Sequence, residues 1–132
     1  MSTGYSGKPL GAKLGLRAGQ RCRVIDAPRD YAALVEQSLD GLVFPADGPY
    51  DFLHVFVTDR TGLAAGLTQW AALLAPSGWL WLSWPKKTSK RFRDLTEDGI
   101  RALALPLGLV DIKVCAVDAD WSALKLVWRK SK

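Results

Sequence analysis

The sequence predicts an α/β protein: a three-layer sandwich in which helices cover both faces of a mainly parallel sheet of about five to six strands, ending in an antiparallel hairpin. Short apolar runs alternate with stretches of helical periodicity, the pattern of strands linked by crossover helices. Two of the runs, "YDFLHVFV" (50–57) and "WLWLSW" (79–84), are apolar almost throughout, which suits strands with helices on both sides. The last two runs are joined by "DAD" (118–120) alone, too short a link for a parallel crossover, so they form a hairpin. With 132 residues, 48% hydrophobic and 23% charged, the chain is expected to make a single domain over residues 21–132, after a flexible start and short helix over residues 1–20.

Each element follows from local chemistry. Leu10, Leu14 and Leu16 mark a short amphipathic turn in an otherwise glycine- and lysine-rich start. "RCRVIDA" (21–27) reads as a strand ending at Pro28, whose fixed φ suits the first turn of a helix. "PRDYAALVEQSL" then places Tyr31, Leu34, Val35 and Leu39 on one helical face. "DGLVFPADG" leaves room for only a stub of strand, and residues 50–57 are the expected sheet centre. Thr58 and Asp59 can cap a helix in which Leu63, Leu67, Trp70 and Leu74 recur until "APSG" stops it. After the strand 79–84, Thr96 can cap a helix with Glu97 and Asp98 in its positive first turn; Ile100, Leu103, Ala104 and Leu107 line its buried side, and Pro106 and Gly108 end it. "LVDIKVCAV" and "WSALKLVWR" form the terminal hairpin, with Lys113 and Lys125 discouraging edge pairing.

Composition excludes several classes. No run approaches the roughly 18 apolar residues of a membrane span, and "MSTGYSGKPLGAKLG" lacks the apolar stretch of a signal peptide. A cytoplasmic protein without a membrane partner is expected. Cys22 and Cys115 are far apart and have no second Cys or His at metal-ligand spacing, so both are read as buried free thiols. His54 is the single histidine, which removes any multi-histidine metal site. The net charge of +5 spreads 18 bases among 13 acids; it permits anionic partners without demanding them.

From about Lys13 onward, "KLGLRAGQRCRVIDA", "YDFLHVFV", "LLAPSGWLWLSWPK", "ALPLGLVDIKVCAV" and "WSALKLVWRK" resemble, in order, the first strand and the fourth to seventh strands of class I S-adenosylmethionine-dependent methyltransferases. The resemblance implies a Rossmann-like fold cut short in its first half. Through "GYSGKPLGAKLG", "DAPRDY", "WPKK" and "LPLGLVDIKVCAVD" the chain also resembles a family of small bacterial proteins known as a domain of unknown function. In the methyltransferases the first strand runs into a glycine-rich turn against which the cofactor lies. Here Ala27, Pro28 and Arg29 stand at that turn, and Pro28 removes an N–H donor. The second strand, whose acidic end would hold the ribose, shrinks to about ten residues with two prolines. Methyl transfer is therefore not expected, and neither a cofactor nor a metal is assigned.

Ligands of open parallel sheets bind beyond the carboxyl ends of the strands. That edge should carry Asp26, Arg29 and Tyr31 after the first strand, Thr58, Asp59 and Arg60 after the second, and Ser83, Lys86 and Lys87 after the third. Together they point to a non-catalytic binding or regulatory module for a small anion or nucleotide, in which Arg29, Lys86 and Lys87 share one pocket; in the alternative, the acids cap helices and the bases are solvated. "KKTSKRFR" (86–93) has five bases in eight residues and offers a second reading, nucleic-acid binding, with Phe92 or Trp84 as a stacking face. A mobile solvated loop, or a lid over the crevice, explains the same residues. His54 interrupts an apolar strand as a hydrogen-bonded core histidine would, and no catalytic residue is assigned. Of the six tryptophans, Trp121 beside the hairpin turn is the one expected at the surface, either anchoring a protein partner or folded onto its own hairpin. Nothing in the pattern specifies an oligomeric state.

Overall fold

A computed structural model describes residues 8–130; the expected flexible start over its first seven residues lies outside the described residues. Along the chain come α1 (Leu10–Leu14), β1 (Cys22–Ile25), α2 (Tyr31–Val35), β2 (Tyr50–Phe56), α3 (Arg60–Ala72), β3 (Leu74–Pro85), α4 (Glu97–Ala104), β4 (Leu109–Ala116) and β5 (Trp121–Trp128). The five strands form one sheet in the order β1-β2-β3-β5-β4. β1, β2 and β3 run parallel, while β5 is antiparallel to both β3 and β4. The architecture is the predicted Rossmann-like sandwich with its terminal hairpin. The middle place belongs to β3 rather than to residues 50–57. Both strands lie inside the sheet with helices packed over each face, which explains why both are apolar on both faces.

Side chains alternate across each strand and divide the core into two layers. Leu53, Val55, Leu80, Leu82 and Trp84 pack with Leu63 and Leu67 of α3, Ile100 of α4, and Leu124 and Leu126 of β5. On the opposite face Phe52, Phe56, Trp81 and Trp121 pack with Leu10 and Leu14 of α1 and with Tyr31, Leu34 and Val35 of α2. Trp79 and Trp81, two residues apart, both donate their indole N–H to the Leu14 carbonyl, at 3.1 and 2.8 Å. This pair of hydrogen bonds ties the short α1 to the sheet.

Three elements depart from the expected limits. α2 begins at Tyr31 rather than with Pro28 in its first turn, because Asp30 supplies the cap, accepting from the Ala33 N–H at 3.0 Å. It stops at Val35, where Glu36 turns into the left-handed region (φ 61) and its carboxylate accepts from the Leu10 N–H at 3.3 Å. The chain then doubles back, and the expected stub of strand is a single parallel bridge between Val43 and Arg21. α3 ends at Ala72, so Leu74 lies not on its face but at the start of β3, opposite Tyr50. The next pair is Phe52 with Trp79, so residues 75–78 bulge out of the ladder.

That bulge closes on Gly78. A Cβ there would stand 2.7 Å from the Tyr50 carbonyl oxygen and 2.9 Å from that of Asp51, both of them backbone atoms of the adjacent strand. Gly78→Ala is expected to cost about 3 kcal/mol, the upper end of overpacking penalties, because two central strands must separate to admit the methyl. Urea denaturation measures it. A loss below about 1 kcal/mol would show that the bulge relaxes freely.

The second half follows the expected signals. Thr96 caps α4 by accepting from the Gly99 N–H at 3.1 Å. Arg101 of α4 ion-pairs with Glu97, with Asp98 at 3.0 Å and with Asp111 of β4 at 2.8 Å, joining helix to hairpin. Lys113 is exposed on the edge strand β4, whereas Lys125 lies 4.4 Å over the Trp79 ring. Cys22 is buried, but Cys115, on that same edge strand, is only half-buried. Among the described residues no helix is long and apolar enough to cross a membrane.

Candidate functional site

β1, β2 and β3 are adjacent and parallel, so the loops leaving their carboxyl ends lie side by side. A cleft of about 410 Å³ opens there. Its apolar walls are Pro28, Phe56, Val57, Trp70 and Trp121, and its polar groups are Asp26, Thr58, Asp59 and Arg91. Asp59 caps α3, its Oδ1 accepting from the Gly62 N–H at 2.7 Å. Trp70 reaches the cleft by lying across Gly66, one helical turn earlier, where a Cβ would overlap the indole. Trp121 stands edge-on to Phe56 with ring centroids 5.3 Å apart.

Seven of the nine predicted site residues fall into three groups, and Arg29 and Arg60 stand apart from them. Asp26, Thr58 and Asp59 line this cleft. Lys86 and Lys87 line a neighbouring pocket of about 490 Å³ with Trp84, Thr96, Glu97, Asp98 and Arg101, in which Glu97 and Asp98 are paired with Arg101. Arg29 instead pairs with Asp118 of the hairpin turn at 3.7 Å. The expectation that Arg29, Lys86 and Lys87 share one pocket is thus corrected: an aspartate holds one cation and α4 faces the other two. Arg60 is exposed, and its backbone N–H donates to Asp94 at 3.0 Å.

Tyr31 and Ser83 form the third group and face the core. Tyr31 Oη lies 2.7 Å from His54 Nδ1, and Ser83 Oγ lies 2.7 Å from His54 Nε2. All three side chains are buried, and the imidazole also stacks on Phe56 at 4.3 Å. A phenol is the stronger donor, so Tyr31 donates to Nδ1 and the Nε2 proton goes to Ser83. Burial pushes the His54 pKa down to about 3, so the ring is neutral at physiological pH. Burial, with a smaller contribution from Cys22, likewise holds the Tyr31 phenol well above its ordinary range. The Cys22 thiol is pushed up to about 11 by burial and then by the Asp51 carboxylate. This network satisfies buried polar groups inside a central strand; it presents no acid or base to the cleft.

Sequence reasoning missed Arg91, Trp70 and Trp121 as cleft residues. Trp121 is corrected from surface to interior: it is 4% exposed because it pairs in register with Pro85 and packs on Phe56. Arg91 arrives there because the basic loop is folded back on itself. Ser89 is buried, its N–H donates to the Lys86 carbonyl at 2.9 Å, and its Oγ accepts from the Arg91 N–H at 3.0 Å. Gly66, four residues before Trp70, was the one local signal for the indole's position.

The methyltransferase resemblance implies S-adenosylmethionine, but the residues present do not form the family's cradle for it. The turn after β1 is built of Asp26, Ala27, Pro28 and Arg29, with Pro28 itself in the cleft wall. Where a second strand would bring an acid to the ribose there is only the Val43 bridge.

No protein-family model and no curated protein matches the chain. Solved structures do. The 1,6-didemethyltoxoflavin-N1-methyltransferase of Burkholderia thailandensis aligns with a TM-score of 0.59 at 13% identity, over 92% of this chain and 75% of its own. A SAM-dependent methyltransferase from Aquifex aeolicus aligns at 0.56 and 10% identity, over 87% and 85%. The magnesium protoporphyrin IX methyltransferase of Synechocystis PCC 6803 aligns at 0.53 and 16%, over 69% and 52%. The chain thus spans only about half of the last enzyme's length, and 34% of the mitomycin 7-O-methyltransferase. The strand order, the terminal hairpin and these likenesses together give the chain the fold of class I SAM-dependent methyltransferases, shortened after its first strand.

Proposed function

We propose that the chain is a non-catalytic binding module for a nucleotide-type small molecule, held in the cleft at the carboxyl ends of β1 and β2. The observation that carries this reading is the lining of the cleft, where Phe56, Trp70 and Trp121 meet Asp26, Thr58, Asp59 and Arg91. The half-buried Trp70 indole takes a flat ring against the buried wall of Phe56 and Trp121, carboxylates and a hydroxyl take ribose hydroxyls or a ring amine, and the guanidinium takes an anionic tail. At about 410 Å³, the volume falls within the range of small-ligand sites. The single imidazole is sealed in the core, so it offers the cleft no acid or base.

Trp70 and Trp121 make the test direct. Adenosine, AMP, S-adenosylmethionine, its demethylated product and inorganic phosphate are titrated while tryptophan fluorescence is followed. A saturable change is expected with at least one adenine-bearing compound and none with phosphate alone. Trp70→Ala should weaken that binding about tenfold, as loss of one stacking surface does. If only phosphate gives a signal, or no compound does, the cleft is not a nucleotide site.

A further inference from the structure

The basic loop and the cleft are one continuous surface. Arg91 belongs to both. Pro85 pairs with the cleft residue Trp121, and the next residue, Lys86, donates its N–H to the Asp120 carbonyl at 2.8 Å, so the loop leaves the sheet beside the aromatic wall. Lys87, Lys90, Arg91 and Arg93 are exposed, and among the described residues none has a carboxylate within ion-pair distance. Of the acids nearby, Asp118 pairs with Arg29, Glu97 and Asp98 pair with Arg101, and Asp94 accepts from the Arg60 N–H.

We infer that the physiological ligand is single-stranded nucleic acid, with one unpaired base in the aromatic cleft and the phosphates that follow it on Lys87, Lys90, Arg91 and Arg93. The inference rests on the proposed nucleotide reading of the cleft and names its ligand class. The charge layout sets the direction: Asp26 and Asp59 repel phosphate from the cleft interior but accept from sugar hydroxyls and ring amines, while Lys87, Lys90, Arg91 and Arg93, exposed and, among the described residues, outside any ion pair, run along the loop. The cleft volume suits one nucleoside, whereas the bases extend beyond it for the length of the loop, farther than a single phosphate requires. Stacking on aromatic side chains beside a positively charged track is the common physical solution for holding unpaired strands.

Fluorescence anisotropy with an end-labelled oligoriboadenylate of about eight nucleotides, whose 2′-hydroxyls are free, tests it. Affinity should fall with salt at a log-log slope of about −0.7 per phosphate contacted, so roughly −2 to −3 for three or four contacts. Lys87→Glu/Lys90→Glu/Arg93→Glu should weaken the oligomer roughly a hundredfold while leaving the adenosine fluorescence titration unchanged. Trp70→Ala should weaken both, and circular dichroism checks that each variant is folded. If adenosine binds but the oligomer binds no tighter, the inference is overturned and the small-molecule reading stands. If neither binds, both fall. Oligomer binding that Trp70→Ala does not touch, or that heparin or a duplex matches, is attraction to a polyanion alone and also overturns the inference.

Discussion

Acidification below pH 6.5 is expected to destabilise the protein through His54 by up to about 1.4 kcal/mol per pH unit, until the folded-state pKa is reached. The folded ring holds off its proton down to about 3 because burial penalises the charged form, whereas the unfolded ring titrates near 6.5. Between those values the unfolded chain binds more protons, so stability is fully present above pH 6.5 and is lost as pH falls toward 3. Urea unfolding of wild type and His54→Gln between pH 7 and 4.5 isolates this contribution, because glutamine keeps an amide near the Nε2 position and does not titrate. The variant should start lower and show a shallower slope. Equal slopes in the two proteins would remove His54 as the cause.

Trp81→Ala is expected to cost about 3–5 kcal/mol. Trp81 is wholly buried between the sheet and the α1–α2 layer, so truncation leaves a large cavity that neighbouring β-strands cannot close. Trp81→Phe should cost only about 1–2 kcal/mol, because most of the packing survives and the Leu14 carbonyl keeps its second donor, Trp79, at 3.1 Å. Hydrogen exchange in α1 should rise in the alanine variant before global unfolding, as α1 loses its main support. If the two substitutions cost the same, the hydrogen bond and not the packing would be what holds α1.

Much of what depends on neighbours along the chain was legible in the residues. Asp59 and Thr96 announce the starts of α3 and α4, and each accepts from the N–H three residues on. The two-sided apolar runs announce β2 and β3, and the three-residue link announces the hairpin, because caps, periodicity and turn length act over a few residues. Even the loss of the glycine turn was visible, as Ala27, Pro28 and Arg29. Contacts between distant residues were set by packing across the fold. Register set Ser83 beside His54 and brought Tyr31 of α2 to the other side of the ring, turning two predicted ligand residues into core. The fold of the basic loop sent Arg91 into the cleft and left Lys86 and Lys87 over α4, while an ion pair drew Arg29 away to Asp118. Trp121 stands next to a turn in sequence and inside the protein in space for the same reason. Which side chains meet across a sheet edge depends on strand order and loop path, and neither leaves a trace in local pattern.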